Sequence, residues 1–516
     1  MQILSAAQMR EVDRLTIAQH GVDGGTLMAA AAAAVEARLE RDFPRALSGR
    51  IAILCGGGNN GGDGLVLARL LRQRRVRVHC LLFAPVARLR GDAAAALPGV
   101  QPPPVEVITE DAWRAQRAAV LASDLLVDAL FGTGLVRPLS GWLRQVVEDV
   151  NQNFRGPVVA VDIPSGMGAD GEGPAEAADA AVLRAAATVT FTAPKRGHYL
   201  SRHAASVGTL TCAAIGTPES VLGEIEPASC RLRLTGTAEC RPFLAPRPRD
   251  AHKGLFGHVL FVGGSLGKSG AAVLASTAAL RAGAGLVTAA VPAAVQLTVA
   301  AALPELMTEA LPETPEDPRL TTLLHMATVL AVGPGLTQAP DAAALARHIV
   351  DATPLPCVLD ADGLNAFHQR RAELRPRQGV LTPHPGEMAR LFDVPTSEVQ
   401  QRRLYYAQRL AAETGAIVVL KGRFSLIASP DGPVYVNPTG NPGMATAGAG
   451  DVLTGIIAGL LAQFPAPQQR LECVAAAVYL HGRAGDAAAA RHGEMSLLAG
   501  DITRQLPGVC AEARSR

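Results

Sequence analysis

An α/β architecture in two domains is what this sequence predicts, and three observations carry the prediction. Short apolar runs of strand length alternate with alanine-rich helical segments along the whole chain. Glycine-rich polar motifs follow those runs directly in both halves. At 516 residues the chain exceeds what one core of ordinary size fills. The regular pattern lapses around Thr217–Asp250, where RPFLAPRPRD is rich in proline and arginine. The expected domains are residues 1–222 and 223–516.

Taken in order, Ser5 and Gln8 form a capping box for a first helix through Arg10 and Leu15, which Gly21 ends. Strand-like runs follow at Ile51–Cys55, Val76–Phe83, Leu125–Leu130, Pro157–Asp162 and Thr188–Ala193. Beyond the junction they resume at His258–Val262, Leu286–Val291, Thr328–Val332, Cys357–Asp360 and Ala416–Leu420. The alternation predicts mainly parallel sheets sandwiched by helices. The most apolar stretch, Ala271–Leu303, is interrupted by Arg281, several glycines and Pro292. A membrane span needs about 20 nearly uninterrupted apolar residues, so this stretch reads as buried helix and strand. The two halves differ in their loop motifs, which argues against duplication of one domain.

A net charge of +2 excludes a nucleic-acid-scale positive field, and neither a nucleic acid nor a membrane is expected as a partner. The N-terminal residues lack the basic and apolar regions of a secretory signal. Eight scattered cysteines form no CxxC pair and no cysteine–histidine zinc spacing, so free thiols in a reducing, cytoplasmic setting are expected. Arginine replaces lysine almost everywhere. Lys195, Lys253, Lys268 and Lys421 are the exceptions, and each stands in a glycine-containing stretch.

In open α/β sheets ligands gather at the carboxyl edge, which is where the motifs fall. GGGNNGGDG (Gly56–Gly64) links a strand to a helix expected near Leu65, and its backbone N–H groups suit a phosphate. A tight strand–helix connection is the plainer reading of the glycines. Asp128 and Asp162 each end a strand-like run, and with Asn60 and the hydroxyl of Ser165 they offer oxygens to one hard cation; loop or helix capping is the alternative for both aspartates. In the second half GGSLGKSG fails as a P-loop, because only three residues separate Gly263 from Gly267 and Val262 stands where the first glycine belongs. GNPGMATAGAGDVLTG (Gly440–Gly455) leads small residues into Gly450, Asp451 and an apolar helix. An anion there would face helix N–H groups, with Asp451 as base, while a helix cap is the alternative for Asp451. His384, in TPHPGEM, reads from its surroundings as a packing or hydrogen-bonding residue.

With GGGNNGGDG, DALFGTGLVRPLSG and VDIPSGM, the first half resembles the NAD(P)HX epimerase domain. The resemblance implies a Rossmann-like α/β/α sandwich and potassium held by Asn60, Asp128 and Ser165. It implies substrate contacts from Asn59, Asn60, Gly61, Gly62, Asp63, Gly132, Thr133, Gly134, Leu135, Val136, Arg137, Pro138 and Asp162, and Asp162 is then the candidate acid–base group for loss and return of the ring hydroxyl. With HKGLFGHVLFVGGS, VGPGL, LDADGLNA, LTPHPGEMARL, VLKG and NPGMATAGAGD, the second half resembles the ADP- or ATP-dependent NAD(P)HX dehydratase of the ribokinase-like superfamily. That resemblance implies nucleotide contacts from Lys421, Gly422, Arg423, Phe424, Ser425 and Gly450. It places Ala271, Gly335, His384 and Asp451 at the hydrated cofactor, with magnesium accompanying the nucleotide. Together the halves imply epimerisation of hydrated NADH and NADPH, dehydration of the S form through a phosphorylated intermediate, and a homo-oligomer. Ala449 departs from the family's usual GGTGD loop, where a threonine or similar residue stands, and so bears on nucleotide binding or donor preference. A ribokinase-like kinase of a small alcohol and a non-catalytic nucleotide-binding module are the competing readings.

Overall fold

The computed structural model describes residues 1–173, 176–225 and 232–515. Seven strands make the first sheet: β1 (Arg50–Cys55), β2 (Arg77–Leu82), β3 (Val105–Glu106), β4 (Leu125–Ala129), β5 (Val158–Val161), β6 (Ala187–Phe191) and β7 (Thr209–Ala213). They lie in the order β3-β2-β1-β4-β5-β6-β7, and every neighbouring pair is parallel. Both sheet faces are covered, which explains why β1, β4 and β5 read as continuous apolar runs. The first helix, Ala6–His20, has the anticipated reciprocal capping box between Ser5 and Gln8 and ends at Gly21 with φ of 66°.

The second unit's strands are β8 (Leu232–Leu234), β9 (His258–Val262), β10 (Leu286–Val291), β11 (Met307–Ala310), β12 (Val329–Val332), β13 (Cys357–Leu359), β14 (Gly379–Leu381), β15 (Ile417–Leu420), β16 (Leu426–Ala428) and β17 (Val434–Val436). Their order is β8-β17-β16-β15-β14-β13-β12-β9-β10-β11. From β11 across to β15 the pairs are parallel; β16 is antiparallel to both of its neighbours. The chain divides into two compact units, residues 2–229 and 230–516. The proline- and arginine-rich stretch belongs to the second: Phe243 is buried in its core, with its ring edge-on to Phe464 at 5.1 Å.

Two helix starts differ from expectation. The helix after β1 spans Asn59–Gln73 instead of beginning near Leu65, so NNGGDG forms its first turns. Close packing is the reason. A Cβ on Gly61 would lie 1.8 Å from the Gly56 carbonyl oxygen, and one on Gly64 2.7 Å from the Ala129 Cβ. The helix also presses on the sheet hard enough that glycine, otherwise poor in helices, is required. In the second unit the helix Ala449–Gln463 already contains Gly450 and Asp451 in its first turn.

That helix crosses Ser269–Arg281 at Gly455 and Gly459, where added Cβ atoms would meet the Ala275 and Ala279 carbonyl oxygens at 2.0 and 2.5 Å. Gly455→Val should therefore destabilise the second unit by at least about 3 kcal/mol, since neither backbone can yield cheaply. Gly508, in the helix Ala499–Ser515, has nothing within 4 Å of a Cβ. Gly508→Ala should be neutral or stabilise by about 1 kcal/mol. Thermal unfolding of the two variants beside the parent checks both.

Candidate active sites

In the first unit the strand order reverses between β1 and β4, and a parallel sheet opens a crevice at such a point. A cavity of about 510 Å³ lies there. Asn59, Asn60, Asp63, Gly132, Thr133, Gly134, Leu135 and Asp162, all singled out from sequence, line it. Gly61 and Gly62 are instead taken up by helix packing; a Cβ on Gly62 would lie 2.5 Å from the Met28 methyl carbon. Val136, Arg137 and Pro138 fall outside the lining, with Val136 71% exposed.

Asp162 follows β5 with φ of 64°, a left-handed conformation that costs a non-glycine residue about 1–2 kcal/mol. Its surroundings hold it there. The Asp162 N–H donates to the Val189 carbonyl at 2.7 Å, and its Oδ1 accepts from the Lys195 ammonium at 2.5 Å and the Thr190 hydroxyl at 2.9 Å. Lys195, 2% exposed, also donates to Thr190 Oγ1 and the Phe191 carbonyl. His198 Nδ1 accepts from the Lys195 N–H at 3.0 Å, which leaves Nε2–H to donate to the Asp162 carbonyl at 3.0 Å. Burial, with Lys195 beside it, pushes His198 down to about 4, so the ring stays neutral.

Burial alone would raise the Asp162 carboxyl, yet the Lys195 charge and hydrogen bond, with His198 and Thr190, hold it below the ordinary range. Its neighbours behave oppositely. Burial lifts Asp13 to about 6 and Asp63 well above the usual range; Asp162 adds to both shifts and Lys195 opposes them. One ionised carboxylate thus sits beside two that favour the proton.

Below this group, buried Asp128 accepts from the Ser165 N–H at 2.7 Å, the Ser165 hydroxyl at 2.6 Å and the Leu130 N–H at 3.2 Å. Burial lifts its carboxyl to about 6 against those hydrogen bonds. The Phe131 N–H donates to Ser165 Oγ at 2.9 Å, tying the loop after β4 to the loop after β5. Both amide atoms of Asn60 are buried without a hydrogen-bond partner. A Cβ on Gly132 would lie 3.5 Å from Asn60 Oδ1, so the amide abuts the same loop.

The second unit builds its site at the ends of β13, β14 and β15 and at the start of the helix Ala449–Gln463. Asp360, directly after β13 and 1% exposed, accepts from the Lys421 ammonium at 2.5 Å and the Thr454 hydroxyl at 2.9 Å. Glu387 lies 3.7 Å from the same ammonium. His384 caps the helix Pro385–Phe392: Nδ1 accepts from the Gly386 and Glu387 N–H groups, and Glu387 Oε2 accepts from the His384 N–H at 2.7 Å. Hydrogen bonding, as its surroundings suggested, is the visible work of this histidine.

Asp451 is lifted to about 6 by burial and the nearby Asp360 charge, with Lys421 opposing. Gly448, with φ of 88°, turns the chain into the helix, and a Cβ on Gly450 would lie 3.5 Å from Lys421 Nζ. Gly335 (φ 71°) and Ala271 are brought together: a Cβ on Gly335 would lie 3.1 Å from that of Ala271. In the loop Lys421–Ser425, Gly422 and Phe424 take positive φ, and the Arg403 guanidinium donates to the Arg423 and Leu420 carbonyls. As site residues the sequence reading left out Asp13, Asp360, Glu387, Thr454 and Arg403, and it noted Lys195 only as one of four lysines. The scarcity of lysine was the usable signal for two of these contacts, since Lys195 and Lys421 both end in buried carboxylates.

Residues 24–197 match the family described as the YjeF-related protein N-terminus, and residues 259–508 that described as NAD(P)H-hydrate dehydratase. The bifunctional NAD(P)H-hydrate repair enzyme Nnr of Moorella thermoacetica is 43% identical, over 99% of this chain and 96% of its own. The enzyme of the same name from Coxiella burnetii is 38% identical, over 96% of each. A solved ribokinase-like superfamily protein from Enterococcus faecalis is similar with a TM-score of 0.50 and 31% identity, covering 55% of this chain and 97% of that one.

Lys195→Met should leave Asp162 buried without its counter-charge and destabilise the first unit by about 3–5 kcal/mol at neutral pH. The paired carboxyl titrates below its unfolded value, so its contribution is present above about pH 4 and is lost as pH falls through the lower folded value. The gap between variant and parent should therefore narrow in acid. Urea unfolding at neutral pH and near pH 3 measures it.

Proposed function

This chain belongs to the family of bifunctional NAD(P)H-hydrate repair enzymes, and from that premise we propose that its two domains restore damaged nicotinamide cofactors in sequence. The first interconverts the R and S forms of hydrated NADH and NADPH; the second dehydrates the S form at the expense of ADP or ATP. One observation carries the reading: each unit has a buried lysine–carboxylate pair beside a carboxyl that burial lifts above its ordinary range, at the carboxyl edge of its sheet. The domains are residues 1–222 and 223–516 in this reading, and the division of the chain near residues 229 and 230 supports a junction in that neighbourhood. We place the enzyme in the cytoplasm as a homo-oligomer. Among the described residues seven cysteines are free, and no helix is long and apolar enough to cross a membrane.

In the first domain the hydrated ring occupies the cavity over Asp162, with Asn59, Asp63 and Gly132–Leu135 as contacts. Asn60, Asp128 and Ser165 would hold potassium, and the buried, partnerless Asn60 amide and the carboxylate of Asp128, bonded only to neutral donors, fit that ion. The ion supplies a fixed positive charge that compensates Asp128. Asp128→Ala should slow epimerisation and remove its dependence on potassium while dehydration continues; normal epimerisation by this variant in potassium-free buffer would count against the ligand set.

In the second domain Ala271, Gly335, His384 and Asp451 face the hydrated cofactor, and Lys421–Ser425 with Gly450 face the nucleotide, which enters with magnesium. Asp451 removes the proton from the ring hydroxyl as that oxygen attacks the terminal phosphorus. Phosphate then leaves with the C–O electrons, and loss of the neighbouring proton restores the dihydronicotinamide. Helix N–H groups beginning at Ala449 meet the transferred phosphate through backbone contacts, which the alanine side chain leaves intact.

Asp451→Asn keeps the shape and removes the base, so dehydration should slow by about 10²–10⁴-fold while nucleotide affinity changes much less. Recovery of dihydronicotinamide absorbance from both epimers, with either nucleotide, tests the whole reading. A stable phosphorylated small alcohol with no cofactor recovery would refute it.

A further inference from the structure

Epimerisation at the hydroxylated ring carbon needs a proton given at departure and a proton taken at return. Asp162 is poorly suited to hold that proton at rest, because its Oδ1 is occupied by the Lys195 ammonium and the Thr190 hydroxyl. A second group must carry the proton. Asp13 sits in the helix Ala6–His20, on a stripe of Met9, Asp13 and Ile17 at four-residue spacing, and all three line the cavity. Asp162 reaches the same cavity from the end of β5, so the two carboxyls come from different elements. Among the described residues the Asp13 carboxyl has no hydrogen-bond or ion-pair partner within the protein, which leaves it available to a ligand.

We propose that Asp13 is the second catalytic acid–base group of epimerisation, serving one face of the ring while Asp162 serves the other; this rests on the epimerase reading of the first domain. The hydroxyl on the Asp13 face takes the Asp13 proton and leaves as water with the C–O electron pair, while the ring nitrogen lone pair forms the C=N bond of an iminium. Water then adds to the opposite face, the C=N pair returns to nitrogen, and the added water gives its surplus proton to Asp162. The proton returns from Asp162 to Asp13 through cavity water, so one water leaves, one enters and the enzyme is restored. The opposite direction runs the same steps backwards.

The charges around Asp13 set this resting distribution. Lys195 stabilises the ionised form of Asp162, whereas burial and the Asp162 charge let Asp13 keep its proton to higher pH than Asp162. Asp63 also lines the cavity, and burial with the Asp162 charge lifts its carboxyl well above the ordinary range. Arg10 and Asp92 are the other charged side chains of the lining. The rate should therefore fall on the alkaline side as Asp13 loses its proton.

The test uses the full-length protein and hydrated NADH, following R-to-S exchange against pH for the parent, Asp13→Asn and Asp13→Glu, with dehydration of the S epimer as the measure of intact folding. Asp13→Asn should slow exchange by about 10²–10⁴-fold and abolish the alkaline limb, with dehydration unchanged. Asp13→Glu should regain part of the rate and show a displaced limb. Exchange by Asp13→Asn within a few-fold of the parent, or a slower rate with the limb unmoved and no gain in Asp13→Glu, would overturn the role. Parent protein that dehydrates the S epimer but never exchanges R with S would instead overturn the epimerase reading and this inference with it.

Discussion

Burying a carboxylate without a counter-charge costs several kcal/mol, and both halves of this protein meet that cost with one lysine each. Lys195 pairs with Asp162 and Lys421 with Asp360, each at 2.5 Å and each out of bulk solvent. Asp162 Oδ1, Thr190 Oγ1 and the Phe191 carbonyl give the three donors of the Lys195 ammonium three acceptors. A chain that uses arginine nearly everywhere else keeps lysine at these two places. Burial lifts the carboxyls around each pair, the paired aspartate adding to the shift and the lysine opposing it.

Glycine provides the second constraint, because it decides how near the backbone comes to these pairs. The helix Asn59–Gln73 reaches the sheet only because Gly61 and Gly64 leave no side chain in the way, and Ala449–Gln463 reaches its neighbour through Gly455 and Gly459. Both helices begin at the site, so close packing also fixes where their free N–H groups point. In this sense the glycine-rich motifs act twice, as packing surfaces and as site backbone. Gly62 packs against Met28, whereas Gly132 brings its loop against the Asn60 amide.

Parallel topology then collects the parts. Every crossover returns the chain to the same sheet edge, so Asp128, Asp162, Asp360 and the Lys421 loop, far apart in sequence, end on carboxyl edges. The loops are stitched at those edges by short hydrogen bonds. Ser165 joins the turns after β4 and β5, and Thr454 joins the long helix to Asp360.

Strand periodicity and the position of polar motifs after apolar runs were sufficient for the α/β class, because both are local properties of the chain. The cap at Ser5, the buried runs and the candidates Asp162 and Asp451 were legible for the same reason. Local signals could not place the helix start at Asn59, because a glycine-rich stretch has weak helix propensity and only contact with Gly56, Ala129 and Met28 makes it helical. Nor could they reveal Asp13, Asp63 and Lys195 as partners of Asp162, or Asp360 and Glu387 as partners of Lys421. Those pairs join separate elements, and the electrostatics of a carboxyl depend on which charges the fold brings within a few ångströms and how much water it removes. Sequence determined which chemical groups were present and on what kind of element each one stood; tertiary structure decided which of them share a proton.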